Sequence, residues 1–255
     1  MNTETFKGKL RASDRTRDLY GRNINQFLAW LDGKDPAPEN AQEYIDYLEQ
    51  KGRRPNTVAV ALHAIRAYFK VVKKPVELSG PKVTIGEPSY LTTEEVYKLL
   101  DAATTPLEKC LVTVLFDTGC RIAEVLNSEL QDIDWEGGFL TVTRKGGRRA
   151  DVNISGKGLD ALKAWLDARK GKHQRVFLDL AYYDAWQALR KVAERAGIEN
   201  FTPHRLRHSR AVHMLSAGAD LHDVQMALGH QSIRTTADIY GRLRPADLKK
   251  RIPDW

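Results

Sequence analysis

Apolar positions in the first third of the chain recur at helical spacing. After Ser13 or Asp14, either of which can accept the first free amide hydrogens of a helix, Tyr20, Ile24, Phe27, Leu28 and Leu31 fall on one stripe that stops near Gly33. A second, shorter pattern runs from about Pro38 through Tyr44, Ile45 and Leu48 to Gly52. A third, with Asn56 as its expected cap, carries Val58, Leu62, Ile65, Phe69 and Val72 on one face. Three such helices can bury one another's stripes, which predicts a small independent helical domain.

The periodicity stops between Lys74 and Glu87, where Pro75, Ser79, Gly80, Pro81 and Gly86 mark an extended interdomain linker. It resumes at Thr92, which with Glu95 forms a capping box opening a helix through Leu99 and Leu100. A further apolar helix covers Leu107 to Phe116. The period then changes once. From Phe139 to Ile154, residues Phe139, Thr141 and Thr143 alternate with Leu140, Val142 and Arg144. After Lys145, Gly146, Gly147 and Arg148, the positions Ala150, Val152 and Ile154 alternate in turn. This predicts a β-hairpin with a basic tip. Helices return over Leu159–Ala168, Tyr183–Ala196, Pro203–Leu215 and Asp220–Leu228. The expected fold is therefore mainly α, with a small antiparallel β-sheet in the second of two domains.

Composition narrows the class of partner. Among 255 residues, 40 Lys and Arg stand against 33 Asp and Glu, a formal +7 that favours a polyanion, nucleic acid before an anionic membrane surface. Basic residues cluster on the first domain, from Lys7 to Arg17 and from Arg53 to Lys74; each alone is ordinary solvated surface, but as a set they can neutralise several phosphates. No apolar stretch approaches the roughly 20 residues needed to span a bilayer, and the first residues lack the order of a secretory signal, so a cytoplasmic location is expected. Cys110 and Cys120 lack metal-ligand spacing and read as packing residues in a reducing compartment.

Three stretches carry chemistry: Thr118-Gly119-Cys120-Arg121-Ile122-Ala123-Glu124; His204-Arg205-Leu206-Arg207-His208; and Leu228-Gly229-His230 followed by Thr235-Thr236 and Ile239-Tyr240. Singly, each residue has a plainer reading. Arg121 would be a surface group paired with Glu124, the histidines structural, Lys145 a charged turn residue beside Arg144 and Arg148, and Tyr240 a packing aromatic. Their order and spacing resemble the tyrosine recombinases of the phage integrase type. That family's pattern is an arginine after Thr-Gly, a lysine on a β-hairpin, a His-x-x-Arg pair, a His after Leu-Gly, and a tyrosine nine or ten positions beyond.

The resemblance implies a site made of Arg121, Lys145, His204, Arg207, His230 and Tyr240. Two guanidiniums, Arg121 and Arg207, suit the non-bridging oxygens of a phosphodiester under attack, because they pair with them in planar fashion and stay charged. A phenol with a reference pKa near 10 needs help losing its proton, the work assigned to His204. Lys145 would protonate the departing 5′-hydroxyl, and His230 would add a hydrogen bond to the same phosphate. Glu124 would pin an arginine, and Thr235 and Thr236 would cap the helix bearing the nucleophile. No metal or nucleotide cofactor is implied, since the arginines neutralise charge and the phosphotyrosyl bond conserves the energy of the broken one.

On this resemblance, residues 1–80 form a helical, SAM-like core-binding domain, 81–89 a linker and 90–255 a catalytic domain with a C-terminal tail, as in simple Xer-type recombinases. The implied partners are double-stranded DNA with inverted-repeat sites and three further protomers in a tetramer on two duplexes; a regulatory partner protein is an open addition. The tail residues Leu248, Ile252 and Trp255 would dock on a neighbouring protomer or cap their own. The alternatives are a type IB topoisomerase, which relaxes DNA without a partner duplex, and a noncatalytic DNA-binding protein.

Overall fold

The structure, a computed structural model, describes residues 1–82, 90–144, 146–171, 173–178 and 180–229. The chain divides into two compact units, Met1–Gly86 and Glu87–Trp255.

The described residues of the first unit form four helices: α1 (Thr3–Lys9), α2 (Asp14–Trp30), α3 (Pro38–Gln50) and α4 (Pro55–Val71). The expected stripes are its core, with Ile24, Phe27, Ile45, Val58, Ile65 and Phe69 fully enclosed. Ser13 is the cap of α2, its side chain accepting from the Thr16 amide. Two expectations change. The helix α1 is an addition, held by the burial of Phe6, whose ring lies 5.6 Å from that of Tyr68. Asn56 is not a cap: α4 starts at Pro55, whose fixed φ and missing N–H suit a first helical position, with Arg54 before it. The segment after α4 is extended but anchored at its start. Leu78 is buried, and Gln42 Nε2 donates to Ser79 O (3.2 Å) while the Ser79 amide donates to Gln42 Oε1 (2.9 Å). The expected linker 81–89 falls, apart from Pro81 and Lys82, outside the described residues.

In the second unit α6 (Pro106–Thr118) is central. Its Cys110, Leu111, Val112 and Val114 are fully buried, and α5 (Thr93–Ala102), α8 (Gly156–Ala168), α9 (Tyr182–Arg195) and α10 (Pro203–Ser216) pack around it. The thiol of Cys110 is pushed well above its ordinary value by burial, consistent with a packing role. The Thr92–Glu95 capping box opens α5 as expected, and a second one, Thr105 with Glu108, opens α6. The hairpin pairs β2 (Phe139–Thr143) with β3 (Arg149–Asn153) in the register Phe139↔Asn153 to Thr143↔Arg149. A short strand β1 (Ile133–Asp134) adds to β2, making a three-stranded antiparallel sheet. Leu140, Val142 and Val152 face the core. Among the described residues the unit also has two short helices, α7 (Ile122–Leu126) and α11 (Leu221–Leu228), the latter capped by Asp220. Among the described residues no helix is long and apolar enough to cross a membrane.

Candidate active site

Three helix ends meet in the second unit, and the meeting requires two glycines. Gly119 closes α6 and Gly229 closes α11, both in the left-handed region (φ 62° and 65°) that side-chain-bearing residues avoid. The ends approach so closely that a Cβ on Gly119 would lie 2.3 Å from Leu228 Cδ2. Into this junction α10 sends Arg207, which is 4% exposed. Its Nη1 donates to Gly119 O (2.7 Å) and its Nη2 to Leu228 O (2.8 Å), so one guanidinium holds the C-terminal ends of α6 and α11 together. A guanidinium has more N–H groups than these two bonds use.

Arg121 is the residue before α7, immediately after the Gly119 turn. Thr118 shapes this turn, its hydroxyl donating to Val114 O (2.6 Å) and accepting from the Cys120 amide (3.2 Å). Buried Glu124 takes two hydrogen bonds from Arg121, one from its amide (2.9 Å) and one from Nη1 (2.7 Å). The carboxylate thereby fixes both the backbone and the head group of a half-exposed arginine.

His204 and Arg207 stand one turn apart on α10, which begins at Pro203. As a residue His204 is exposed, yet its ring is partly desolvated and lies near two cations. Burial first, then the charges of Arg207 and Arg121, push its pKa below the usual 6.5, with Glu124 opposing. Burial and then the nearby charge of Arg121 push Arg207 down to about 10, which still leaves it charged at neutral pH. Arg121, His204 and Arg207, about 85 residues apart in sequence, are thus brought into one electrostatic neighbourhood. Lys145, His230, Tyr240, Thr235, Thr236 and the tail lie outside the described residues.

Two contributors were not singled out by their residue types. Ser209, fully buried on α10, accepts from the Leu91 amide (2.7 Å) and donates to Arg205 O (2.6 Å), tying the start of the unit to the helix that carries His204 and Arg207. Arg144 is 8% exposed and reaches the same junction, where its charge bears on Arg207 and Cys120. Strand alternation signals it: Arg144 shares the parity of Leu140 and Val142, the inward face. Arg121 and Arg207 therefore share one carboxylate, Glu124, with the charge of Arg144 close to Arg207, a neighbourhood of net positive charge suited to a phosphate. Among the described residues no group of three or more His, Cys, Asp or Glu side chains is placed to hold a metal ion.

A helical unit ahead of a mainly α unit with a three-stranded sheet, and a cationic junction built from Arg121, His204 and Arg207, define the tyrosine recombinase class, enzymes of site-specific recombination. The phage integrase family pattern matches residues 89–246, and that of the phage integrase N-terminal SAM-like domain matches 4–77. The chain belongs to the phage integrase family, and within it is of Xer type. It is 32% identical over 254 residues to tyrosine recombinase XerA of Pyrococcus furiosus, a match spanning 94% of this chain and 87% of that protein. It is 30% identical over 270 residues to tyrosine recombinase XerD of Listeria monocytogenes, spanning 93% and 91%. The crystal structure of XerA recombinase superposes with a TM-score of 0.61 at 26% identity, covering all of both chains. The fold is also that of XerH site-specific recombinase bound to its difH substrate (TM-score 0.73, 21% identity, 92% of this chain and 78% of that one).

Proposed function

We propose that the enzyme cleaves and rejoins double-stranded DNA through a covalent bond between Tyr240 and a 3′-phosphate. The observation that carries this reading is the convergence of Arg121 and Arg207 beside the His204 imidazole, whose pKa burial and the two cations lower. The phenolic oxygen attacks phosphorus as its proton passes to His204; the P–O5′ bond breaks, and the 5′-oxygen takes a proton from Lys145. Arg121 and Arg207 hold the non-bridging oxygens, and His230 adds a hydrogen bond to them. The freed 5′-hydroxyl then attacks the phosphotyrosyl bond on the partner duplex, which releases Tyr240. Four protomers on two duplexes exchange one strand pair at a time through a Holliday junction, each protomer on one half of an inverted repeat. The reaction takes place in the cytoplasm, wherever the target DNA lies.

A duplex carrying its recombination site with a nick beside the cleavage point tests the reading, because loss of the short cut fragment prevents rejoining. The expected result is a detergent-resistant adduct whose DNA-linked peptide contains Tyr240, attached to a 3′-phosphate. Attachment at a 5′-phosphate, or at another residue, rejects it.

The depressed pKa of His204 sets the pH dependence. A lowered value keeps the ring unprotonated, and able to accept the phenolic proton, down to a pH below its ordinary 6.5. Single-turnover cleavage should therefore be level around neutrality and fall only as the pH drops through that lowered value. His204→Asn should be slower, with this acid limb removed. A limb at or above pH 6.5, or one unchanged in the variant, would contradict the assignment.

A further inference from the structure

Arg144 is a buried cation to which the mechanism above gives no task. Its backbone belongs to the hairpin: its amide donates to Arg148 O (2.8 Å), and its carbonyl accepts from the Gly147 amide (3.1 Å). Its side chain leaves the sheet on the side of Leu140 and Val142 and ends at the C-terminus of α11. There Nη2 donates to Ala227 O (3.1 Å), and Nη1 sits directly against Gly229. A Cβ on Gly229 would stand 1.0 Å from Arg144 Nη1 and 2.0 Å from its Cζ, so the guanidinium occupies the space that any other residue at 229 would fill. The next carbonyl of α11, that of Leu228, is taken by Arg207. Two arginines, one rooted in the hairpin and one in α10, thus cap the same helix end, where the backbone dipole favours positive charge.

This arrangement is expensive if stability is its sole purpose. Arg144 Nε is buried with no hydrogen-bond partner among the described residues, and its charge lies close enough to Arg207 to act on it. Its position in the sequence supplies another purpose: the residue after Arg144 is Lys145, and the residue after Gly229 is His230. The contact between Arg144 and α11 therefore joins the chain positions that directly precede two of the residues assigned to the chemistry.

We propose that Arg144 is a positioning residue that fixes the hairpin tip against the end of α11 and so sets the reach of Lys145 to the departing 5′-oxygen. The inference rests on the reading of Lys145 as proton donor. Arginine suits the role because its forked head can bond the Ala227 carbonyl through one nitrogen while the other fills the space beside Gly229; an ammonium can make the bond but not fill that space.

The test compares wild type, Arg144→Met, Arg144→Lys and Lys145→Ala in single-turnover cleavage of two nicked duplexes, one ordinary and one with sulfur at the 5′-bridging position. A thiolate leaves without a proton, so the second substrate bypasses the donor. Arg144→Met should cleave the ordinary duplex roughly 10- to 100-fold more slowly, the scale of a misplaced catalytic group, and the sulfur duplex should restore most of that loss. Arg144→Lys, which keeps a cation at the helix end and covers the case in which the methionine variant fails to fold, should show a smaller loss with the same restoration. Wild-type rates in the lysine variant, or a loss in either variant that sulfur leaves uncorrected while correcting Lys145→Ala, would overturn the inference alone. Failure of sulfur to correct Lys145→Ala would overturn the proton-donor reading and the inference with it.

Discussion

Arg207→Lys should lower the rate of strand cleavage on the order of 10²- to 10³-fold while leaving the protein folded. The native guanidinium bonds Gly119 O and Leu228 O with separate N–H groups, and in the proposed mechanism it also presents further donors to the substrate phosphate. An ammonium is a point charge and cannot reproduce that fork. It does keep the positive charge and can satisfy one of the two carbonyls, so the structural loss is about that of a single buried hydrogen bond, ~1 kcal/mol. Thermal melting beside single-turnover cleavage separates the two effects. A loss of rate under tenfold would mean that charge alone, without the fork, is what the site needs.

Glu108→Ala should have the opposite profile, a loss of about 2–4 kcal/mol in stability with little change in the rate per folded molecule. Glu108 is 8% exposed and accepts four hydrogen bonds: from the Thr104 amide (2.9 Å), Thr104 Oγ1 (3.1 Å), the Thr105 amide (3.2 Å) and Arg195 Nη2 (2.7 Å). It closes the capping box of α6 and fastens the end of α9 to it. Arg195 is more than a third exposed, so the ion pair itself contributes modestly and the amide bonds carry more of the effect. Burial acts to raise the Glu108 pKa, but the bonds from Arg195 and from Thr104 and Thr105 outweigh it, and the net value lies below 4.5. A depressed carboxylate stabilises the fold at pH above its unfolded value and loses that contribution as pH falls through its folded value. Urea denaturation at pH 7 should therefore show the full difference between wild type and variant, and the difference should shrink under strongly acidic conditions. Glu108→Gln, which keeps an acceptor, should lose less; equal loss in both variants would assign the effect to the charge.

Elements with chemical punctuation could be read directly from the sequence. Ser13, the Thr92–Glu95 pair, Pro203 and Asp220 each mark a helix start where the structure has one. Elements too short to display a period could not: α1 has seven residues and β1 two, and both exist because a neighbouring surface accepts them. Asn56 was misleading because a proline one position earlier is the stronger start signal. In the site, Arg121, His204 and Arg207 were legible through motif order, which is independent of how the intervening chain folds. Arg144 was not, although its parity in β2 was visible. A lone arginine at a basic tip looks solvated until the end of α11, some 83 residues away, is seen to receive it.

The junction at Gly119 and Gly229 bears on any attempt to retarget the enzyme by directed evolution. Neither backbone position has volume for a methyl group, and each is wedged against a side chain from elsewhere, Leu228 in one case and Arg144 in the other. A library randomised across these residues would consist mostly of proteins with a sprung joint between three helices. Diversity is better placed on solvent-facing side chains, where new recognition can arise without loosening the frame on which bond breakage depends.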